Sequence, residues 1–242
     1  MNCLLDDSID ITITSPPYNI EKLVRRAPFG GRPGKGRHYH QKVYVKYDDK
    51  NESYYDFLDN LIGESIRVTK HNVFIIIQLL LGNKLDIINV LHKYQKNLKD
   101  IIIWNKKQFQ PSVNPTQLSS QFEFILVFSK EKNCTSKPFK YAFFNNREKG
   151  QKNSNVITGN NAGNEKNKSL NFAVFPEYLV QWILNKFSKE GDMVFDPCSG
   201  SGTTAVVSKK NNRNYLGFDI DKKYVDYAID RLEKTPVNKG WW

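Results

Sequence analysis

Residues 193–204 read Met-Val-Phe-Asp-Pro-Cys-Ser-Gly-Ser-Gly-Thr-Thr: a short apolar run, an acid, a glycine turn and then the start of a helix. Gly200 and Gly202 let the backbone come close to a ligand. Thr203 and Thr204 are placed to cap a helix over roughly residues 205–210. Further on, Tyr215-Leu216-Gly217-Phe218-Asp219 is a second strand-like run ending in a carboxylate. Strand, glycine turn, helix and acid-tipped strand make the nucleotide half-site of a doubly wound sheet, where the acid takes the two ribose hydroxyls. Asp219 is preferred to nearby Asp221 because it ends the run directly.

The glycine pattern is neither GxGxxG nor a P-loop, and no lysine follows where a phosphate would sit. It points to a nucleoside cofactor without phosphate, of which S-adenosylmethionine is the obvious candidate.

A second stretch, Thr14-Ser15-Pro16-Pro17-Tyr18-Asn19, follows the alternating run Ile9-Asp10-Ile11-Thr12-Ile13. That run has the period of a strand. Two prolines forbid both a helix and further ladder pairing, so the strand ends in a stiff turn. A hydroxyl before this turn, two carbonyls within it and an aromatic ring after it suit a planar, amino-bearing substrate such as a nucleobase. An ordinary Pro-Pro turn after an edge strand is the other reading of the hexapeptide.

Together the two motifs resemble the beta-class of DNA amino-methyltransferases. In that class a (Asp/Asn/Ser)-Pro-Pro-(Tyr/Phe) catalytic motif comes first and Asp-Pro-Phe-x-Gly-Ser-Gly-Thr-Thr comes late. Here residues 15–18 and 196–204 stand in that order. Phe172-Ala173-Val174-Phe175-Pro176-Glu177 is similar to the segment leading into the cofactor motif, with Asn171-Phe172 where the family has His-Pro. Cys198 stands where the family more often has Phe, another apolar residue.

The resemblance covers nearly the whole chain. It implies catalytic roles for Ser15, Pro16, Pro17 and Tyr18. It implies S-adenosylmethionine binding by Phe175, Asp196, Pro197, Cys198, Gly200, Ser201, Gly202, Thr203, Thr204 and Asp219. Family members carry a longer lead-in, with an acid that helps hold the cofactor's adenine. Here the catalytic strand begins within ten residues of Met1. A truncated or compact start, with weaker cofactor affinity, is the expectation.

Composition agrees. The 242 residues carry 36 Lys and Arg against 25 acids, a formal charge of +11, which favours a polyanionic partner through counterion release. A generally basic proteome would give the same total, so position tells more than the sum. The chain holds no apolar window of membrane-spanning length and no signal-peptide pattern, so a soluble, cytoplasmic protein is expected. Cys3, Cys134 and Cys198 lack metal-ligand spacing and read as free thiols.

The elements alternate along the chain. A helix is predicted over 53–69, with Tyr54, Leu58, Leu61, Ile62 and Ile66 on one face. A doubly buried strand follows over 72–81, then a helix over 83–94 and strands over 100–104 and 122–128. Pro176 opens a helix with Leu179, Trp182, Ile183 and Phe187 apolar, and Gly191 closes it. The last helix spans 222–233, with Tyr224, Val225, Ala228 and Leu232 inward. The expected fold is α/β, a Rossmann-like methyltransferase three-layer sandwich with a mostly parallel sheet and a small recognition insert. Residues 1–130 form its catalytic half, 131–170 the insert and 171–242 the cofactor-binding half. Both motifs then lie at carboxyl ends of strands, side by side at the switch point.

Two segments stand outside this core. Residues 19–50 carry Arg25, Arg26, Arg32, Lys35 and Arg37 among glycines, and are expected to be a basic lid closing over DNA. A flexible solvated loop is the plain alternative. His38 and His40 have no third ligand nearby, so no metal is expected. Residues 131–170 are rich in Lys and Asn, and the resemblance implies target recognition there. Tyr141, Phe143 and Phe144 would anchor this segment or wedge into DNA, and a surface insertion is the alternative reading.

The activity implied is methyl transfer to the exocyclic amine of a base flipped out of double-stranded DNA. Ser at the first motif position is typical of N4-cytosine enzymes and Asp of N6-adenine enzymes. Cytosine is therefore favoured, with adenine the alternative. An RNA methyltransferase and a catalytically silent DNA-binding protein rank behind. A cognate restriction endonuclease and a homodimer are the further partners the resemblance implies.

Overall fold

The computed structural model describes residues 1, 3–19, 53–80, 82–107, 118–135, 137–139, 142–143, 153–161 and 174–236. The basic segment with Arg25, Arg26, Arg32, Lys35 and Arg37, the two histidines within it, and Tyr141 and Phe144 lie outside the described residues.

Among the described residues seven strands form one sheet: β1 (Ile9–Thr14), β2 (Thr69–Ile77), β3 (Leu98–Lys106), β4 (Phe122–Ser129), β5 (Val156–Gly159), β6 (Met193–Asp196) and β7 (Asn214–Gly217). Their order across the sheet is β5-β3-β4-β2-β1-β6-β7. β1 pairs in parallel with both β2 and β6, so the early and late parts of the chain share one sheet. Only β4 runs against the other strands, pairing antiparallel with β2 and β3. The sheet is mostly parallel, as expected.

Helices cover both faces. On one, α1 (Tyr54–Val68) and α2 (Lys84–Lys93) bury Leu58, Ile62, Ile66, Ile87 and Val90 against Val73, Ile75, Leu126 and Phe128. The spacing of the α1 residues is one helical face, and Ser53 caps the helix by accepting the Asp56 amide. On the other face, α3 (Glu177–Phe187) buries Leu179, Val180, Ile183 and Leu184 over Ile11, Phe74, Ile102 and Ile125. α4 (Thr203–Lys210) lies on the same face, its Val207 in the same cluster. α5 (Lys222–Glu233) packs outside it. The result is a three-layer α/β sandwich.

Several expectations need correction. β2 begins at Thr69, directly after α1, and ends at Ile77. Beyond it the Asn83 side chain accepts the Leu80 amide and donates to the Gln78 carbonyl, which turns the chain out of the sheet. α3 ends at Phe187 and not at Gly191, because the backbone of Ser188 turns extended while its hydroxyl donates to the Leu184 carbonyl. Gly191, at φ +83°, serves the turn into β6. Of the α5 residues expected inward, only Ala228 is buried, since α5 sits at the periphery; Val225 is exposed.

The span 131–170 is also less separate than its composition suggests. Its residues Val156–Gly159 form β5, parallel to β3, with Ile157 in the core. Phe139 and Ala142 pack on the same cluster. The buried Lys99 ammonium donates to the carbonyls of Cys134, Lys137 and Pro138, folding that part of the segment around it. A four-residue strand is too short to show a period, which is why it was hidden.

A candidate active site at the carboxyl rim of the sheet

The carboxyl ends of β1, β6 and β7, the end of β3 and the start of the reversed β4 meet along one edge of the sheet. β1 leads outward to β2 on one side and β6 to β7 on the other, so a crevice opens between β1 and β6. In open α/β sheets such a switch point is where ligands bind.

Asp196 ends β6 and is 2% exposed. Its Oδ1 accepts the Thr14 hydroxyl at 2.6 Å and the Cys198 amide at 3.1 Å. Its Oδ2 accepts the Thr204 hydroxyl at 2.7 Å. The carboxylate is therefore taken up by the protein itself. It braces the last residue of β1, just before Ser15, against the glycine turn and the first turn of α4. Burial raises its pKa from 3.8 to about 6, against the pull of those three hydrogen bonds. The neighbouring Cys198 thiol is pushed up by desolvation and then by Asp196, so it stays protonated and behaves as a small apolar group.

The glycine turn is set by its own backbone. Gly200 and Gly202 both have positive φ, and Gly202 is the N-cap of α4. A Cβ on Gly202 would stand 2.7 Å from the Cβ of Ala228 on α5. Thr203 and Thr204, expected as caps, are the first residues of the helix; the left-handed Gly202 takes the cap position and frees their hydroxyls for Ser201 and Asp196.

Asp219 lies two residues beyond β7 and is half-buried. Its Oδ2 accepts the Gly200 amide at 2.8 Å and its Oδ1 the Asp221 amide at 3.0 Å. Asp221 is the N-cap of α5, accepting the Lys223 amide.

A cleft of about 490 Å³ opens beside the turn, bounded by Thr158 and Asn160 after β5, Phe175, Glu177, Thr203 and Arg231. It brings Phe175 and Thr203 together; residues 15–18 and Asp219 are not among its lining. Arg231, unmarked in the sequence, donates from α5 to the Ser201 carbonyl at 2.7 Å and reaches Glu177 at 3.4 Å.

The proline turn is held from a distance. Tyr54, the first residue of α1, donates its hydroxyl to the Pro17 carbonyl at 2.9 Å. Pro16 is buried, while Ser15, Pro17 and Tyr18 are partly exposed. The Tyr18 hydroxyl donates to Glu123 Oε2 on β4 at 2.7 Å. Desolvation and then the Glu123 carboxylate raise the Tyr18 phenol well above its ordinary value, while a hydrogen bond with Ser15 works the other way. Lys106, at the end of β3, donates to Glu123 Oε1 at 3.0 Å. Sequence reasoning missed Lys106 and Glu123. The available signal was a carboxylate set between Phe122 and Phe124 in an apolar strand.

Among the described residues no group of three or more His, Cys, Asp or Glu is placed to hold a metal, and no helix is long and apolar enough to cross a membrane.

The DNA methylase family pattern matches residues 9–230. The chain belongs to the DNA methylase family. It is 28% identical over 243 residues to M.HinfI, a Type II methyltransferase of Haemophilus influenzae, covering 96% of this chain and 65% of that protein. M2.DpnII, a Type II methyltransferase of Streptococcus pneumoniae, is 28% identical over 233 residues, 94% of this chain and 83% of its own length. The PvuII DNA methyltransferase, described as cytosine-N4-specific, shares the fold with a TM-score of 0.69 at 16% identity, over 100% of this chain and 84% of that one. The M1.HpyAVI–SAM complex gives 0.58 at 20% identity, over 96% and 90%. The α/β methyltransferase fold expected from the two motifs is the fold observed.

Proposed function

We propose that the chain is an S-adenosylmethionine-dependent DNA amino-methyltransferase that modifies the exocyclic amine of a flipped base, N4 of cytosine in preference to N6 of adenine. One observation carries this reading. The Thr14–Asp196 hydrogen bond joins the proline turn and the glycine turn at the rim of two adjacent parallel strands.

The residues fit a nucleoside cofactor. A Cβ at Gly200 would meet nothing closer than 4.0 Å, so the turn is open there; the cleft at Phe175 and Thr203 adjoins it, and Asp219 stands at the rim. Each Asp219 oxygen accepts one backbone N–H in the structure, and a carboxylate oxygen has a second lone pair for a ribose hydroxyl. The turn shaped by Asp196 would cradle the methionine side. When bound, S-adenosylmethionine supplies an electrophilic methyl group on a sulfonium.

The chain's own residues do the rest. An exocyclic amine is a poor nucleophile because its lone pair is delocalised into the ring. The Ser15 hydroxyl and the Pro16 carbonyl accept its two N–H bonds and so turn that lone pair toward the methyl group. The Pro17 carbonyl is already engaged by Tyr54, which leaves this task to Pro16. Tyr18 stacks on the extruded base and replaces part of the lost stacking energy. Alignment by a rigid turn supplies most of the advantage. No strong base is needed beforehand, since the amine proton becomes acidic only as the methyl arrives.

The serine at position 15 supports cytosine, and the fold shared with a cytosine-N4-specific enzyme is compatible with it. Double-stranded DNA is the proposed substrate. A cognate restriction endonuclease, a second copy of the chain and a cytoplasmic location complete the proposal, in keeping with the Type II names of the relatives. Residues 19–50 are proposed to close over DNA and residues 131–170 to contribute target recognition.

Mass spectrometry of nucleosides from host DNA, with and without expression of the chain, tests the reading. A new N4-methylcytosine peak is the expected result. N6-methyladenine would keep the mechanism and overturn the role read from Ser15. Absence of both, with the protein folded and binding cofactor, would overturn the DNA reading.

A further inference from the structure

Glu123 stands on β4 between two phenylalanines and is 9% exposed. Its two carboxylate oxygens are divided between partners on different elements. Oε2 accepts the Tyr18 hydroxyl from the turn after β1, and Oε1 accepts the Lys106 ammonium from the end of β3. The Lys106 and Glu123 side chains are only 9% and 12% exposed. A buried ion pair stabilises a fold little better than an apolar pair of the same volume, because both charges lose their hydration. Stability is therefore a poor account of this pair.

Geometry gives a better one. Trp104 pairs directly with Glu123 across β3 and β4, so the antiparallel ladder fixes the register that brings Lys106 to the carboxylate. Lys106 holds one oxygen of the carboxylate in place. The carboxylate then holds the far end of the Tyr18 ring, while the proline turn, pinned by Tyr54, holds the near end. A ring secured at both ends cannot swing about χ1.

We propose that Glu123, held by Lys106, is a positioning residue that fixes where the Tyr18 ring meets the extruded base. The proposal rests on the reading of Tyr18 as the stacking ring. It gives the Tyr18 hydroxyl a task in this chain that the ring alone does not perform. Stacking needs only the ring, whereas placing the ring needs the hydroxyl.

The experiment measures transfer of labelled methyl from S-adenosylmethionine to unmodified plasmid DNA, with cofactor Kd by calorimetry and thermal unfolding alongside. Tyr18→Phe and Glu123→Gln are each expected to lower kcat about tenfold to a hundredfold, the cost of a misplacement near 1 Å. KM for DNA and cofactor Kd should stay within about twofold, and the double variant should fall no further than the worse single one, as for residues acting through one contact. A purely structural role would lower the unfolding temperature and cofactor affinity together and leave kcat of the folded fraction unchanged, which would overturn the proposal. Additive losses would overturn it as well. Should Glu123→Gln fail to fold, Tyr18→Phe decides alone, and a parental kcat there sinks the anchor. Failure of the underlying reading looks different: Tyr18→Ala would retain transfer, or the unaltered chain would transfer nothing. An inactive Tyr18→Ala beside a normal Tyr18→Phe removes the anchor alone.

Discussion

The two turns at the rim of the sheet are built in opposite ways. The glycine turn after β6 is held by its own neighbourhood: left-handed glycines at 200 and 202, the Cys198 amide on Asp196, and the Gly202 amide on the Ser199 carbonyl. Its more distant supports, Asp219 on the Gly200 amide and Arg231 of α5 on the Ser201 carbonyl, come from the strand and helix that follow in the same unit. The proline turn after β1 lacks two backbone donors and cannot stabilise itself in that way. It is fixed by side chains from far along the sequence, Tyr54 on α1 and Glu123 on β4. The turn proposed to admit the cofactor is rigid by backbone conformation. The turn proposed to present a carbonyl and a ring is rigid by anchoring.

The largest test of this contrast is Gly202→Ala. A left-handed alanine costs about 1–2 kcal/mol. The new methyl must also displace Ala228, whose Cβ would stand at 2.7 Å. With overpacking included, the total is about 2–5 kcal/mol of stability, and cofactor affinity should fall with it. Urea unfolding and calorimetry on the same preparation check this. An unchanged midpoint would mean that the turn does not depend on its backbone conformation.

Asp196, which joins the two turns, gives a test with a sign. Its pKa rises from 3.8 to about 6 on burial. Between those values the folded state keeps a proton that the unfolded chain has released. The contribution of this group to stability therefore falls as pH rises through that window, by on the order of 3 kcal/mol once above it. Asp196→Asn removes that slope. Denaturation of the parent and the variant at pH 4, 5, 6 and 7 should give stability curves that diverge across the window, the parent losing ground as pH rises. Parallel curves would place the carboxylate's titration elsewhere.

The same contrast explains what could be read from sequence. Local chemistry was legible: the Gly-Ser-Gly-Thr-Thr turn, the Pro-Pro break after an alternating strand, and the apolar faces of α1 and α3. Each depends on residues within a few positions of one another. Tertiary anchoring was not. Nothing near Tyr18 indicates that its hydroxyl meets Glu123, 105 residues away, and nothing in α5 marks Arg231 as the residue that grips Ser201. Helix ends were misjudged where one residue decides them, as Ser188 does for α3 and the left-handed backbone of Gly202 does for α4. β5 was hidden because its four residues gain their stability from pairing with β3 and not from any period of their own.

The smallest expected effect is the most pointed. Tyr54→Phe removes the hydrogen bond from the Tyr54 hydroxyl to the Pro17 carbonyl and almost no volume. A neutral hydrogen bond of this kind contributes about 1 kcal/mol, and the partly exposed carbonyl regains water when it is lost. Stability should fall by no more than that, and cofactor binding should not change, because the glycine turn does not use Tyr54. If the proline turn is rigid by anchoring, kcat should fall all the same, by about tenfold for each 1.4 kcal/mol of lost alignment. A variant with lower stability but parental kcat would show that the two prolines hold the turn unaided. One with parental stability and a reduced kcat would show that the anchor serves placement alone, which is the role that separates this turn from its neighbour.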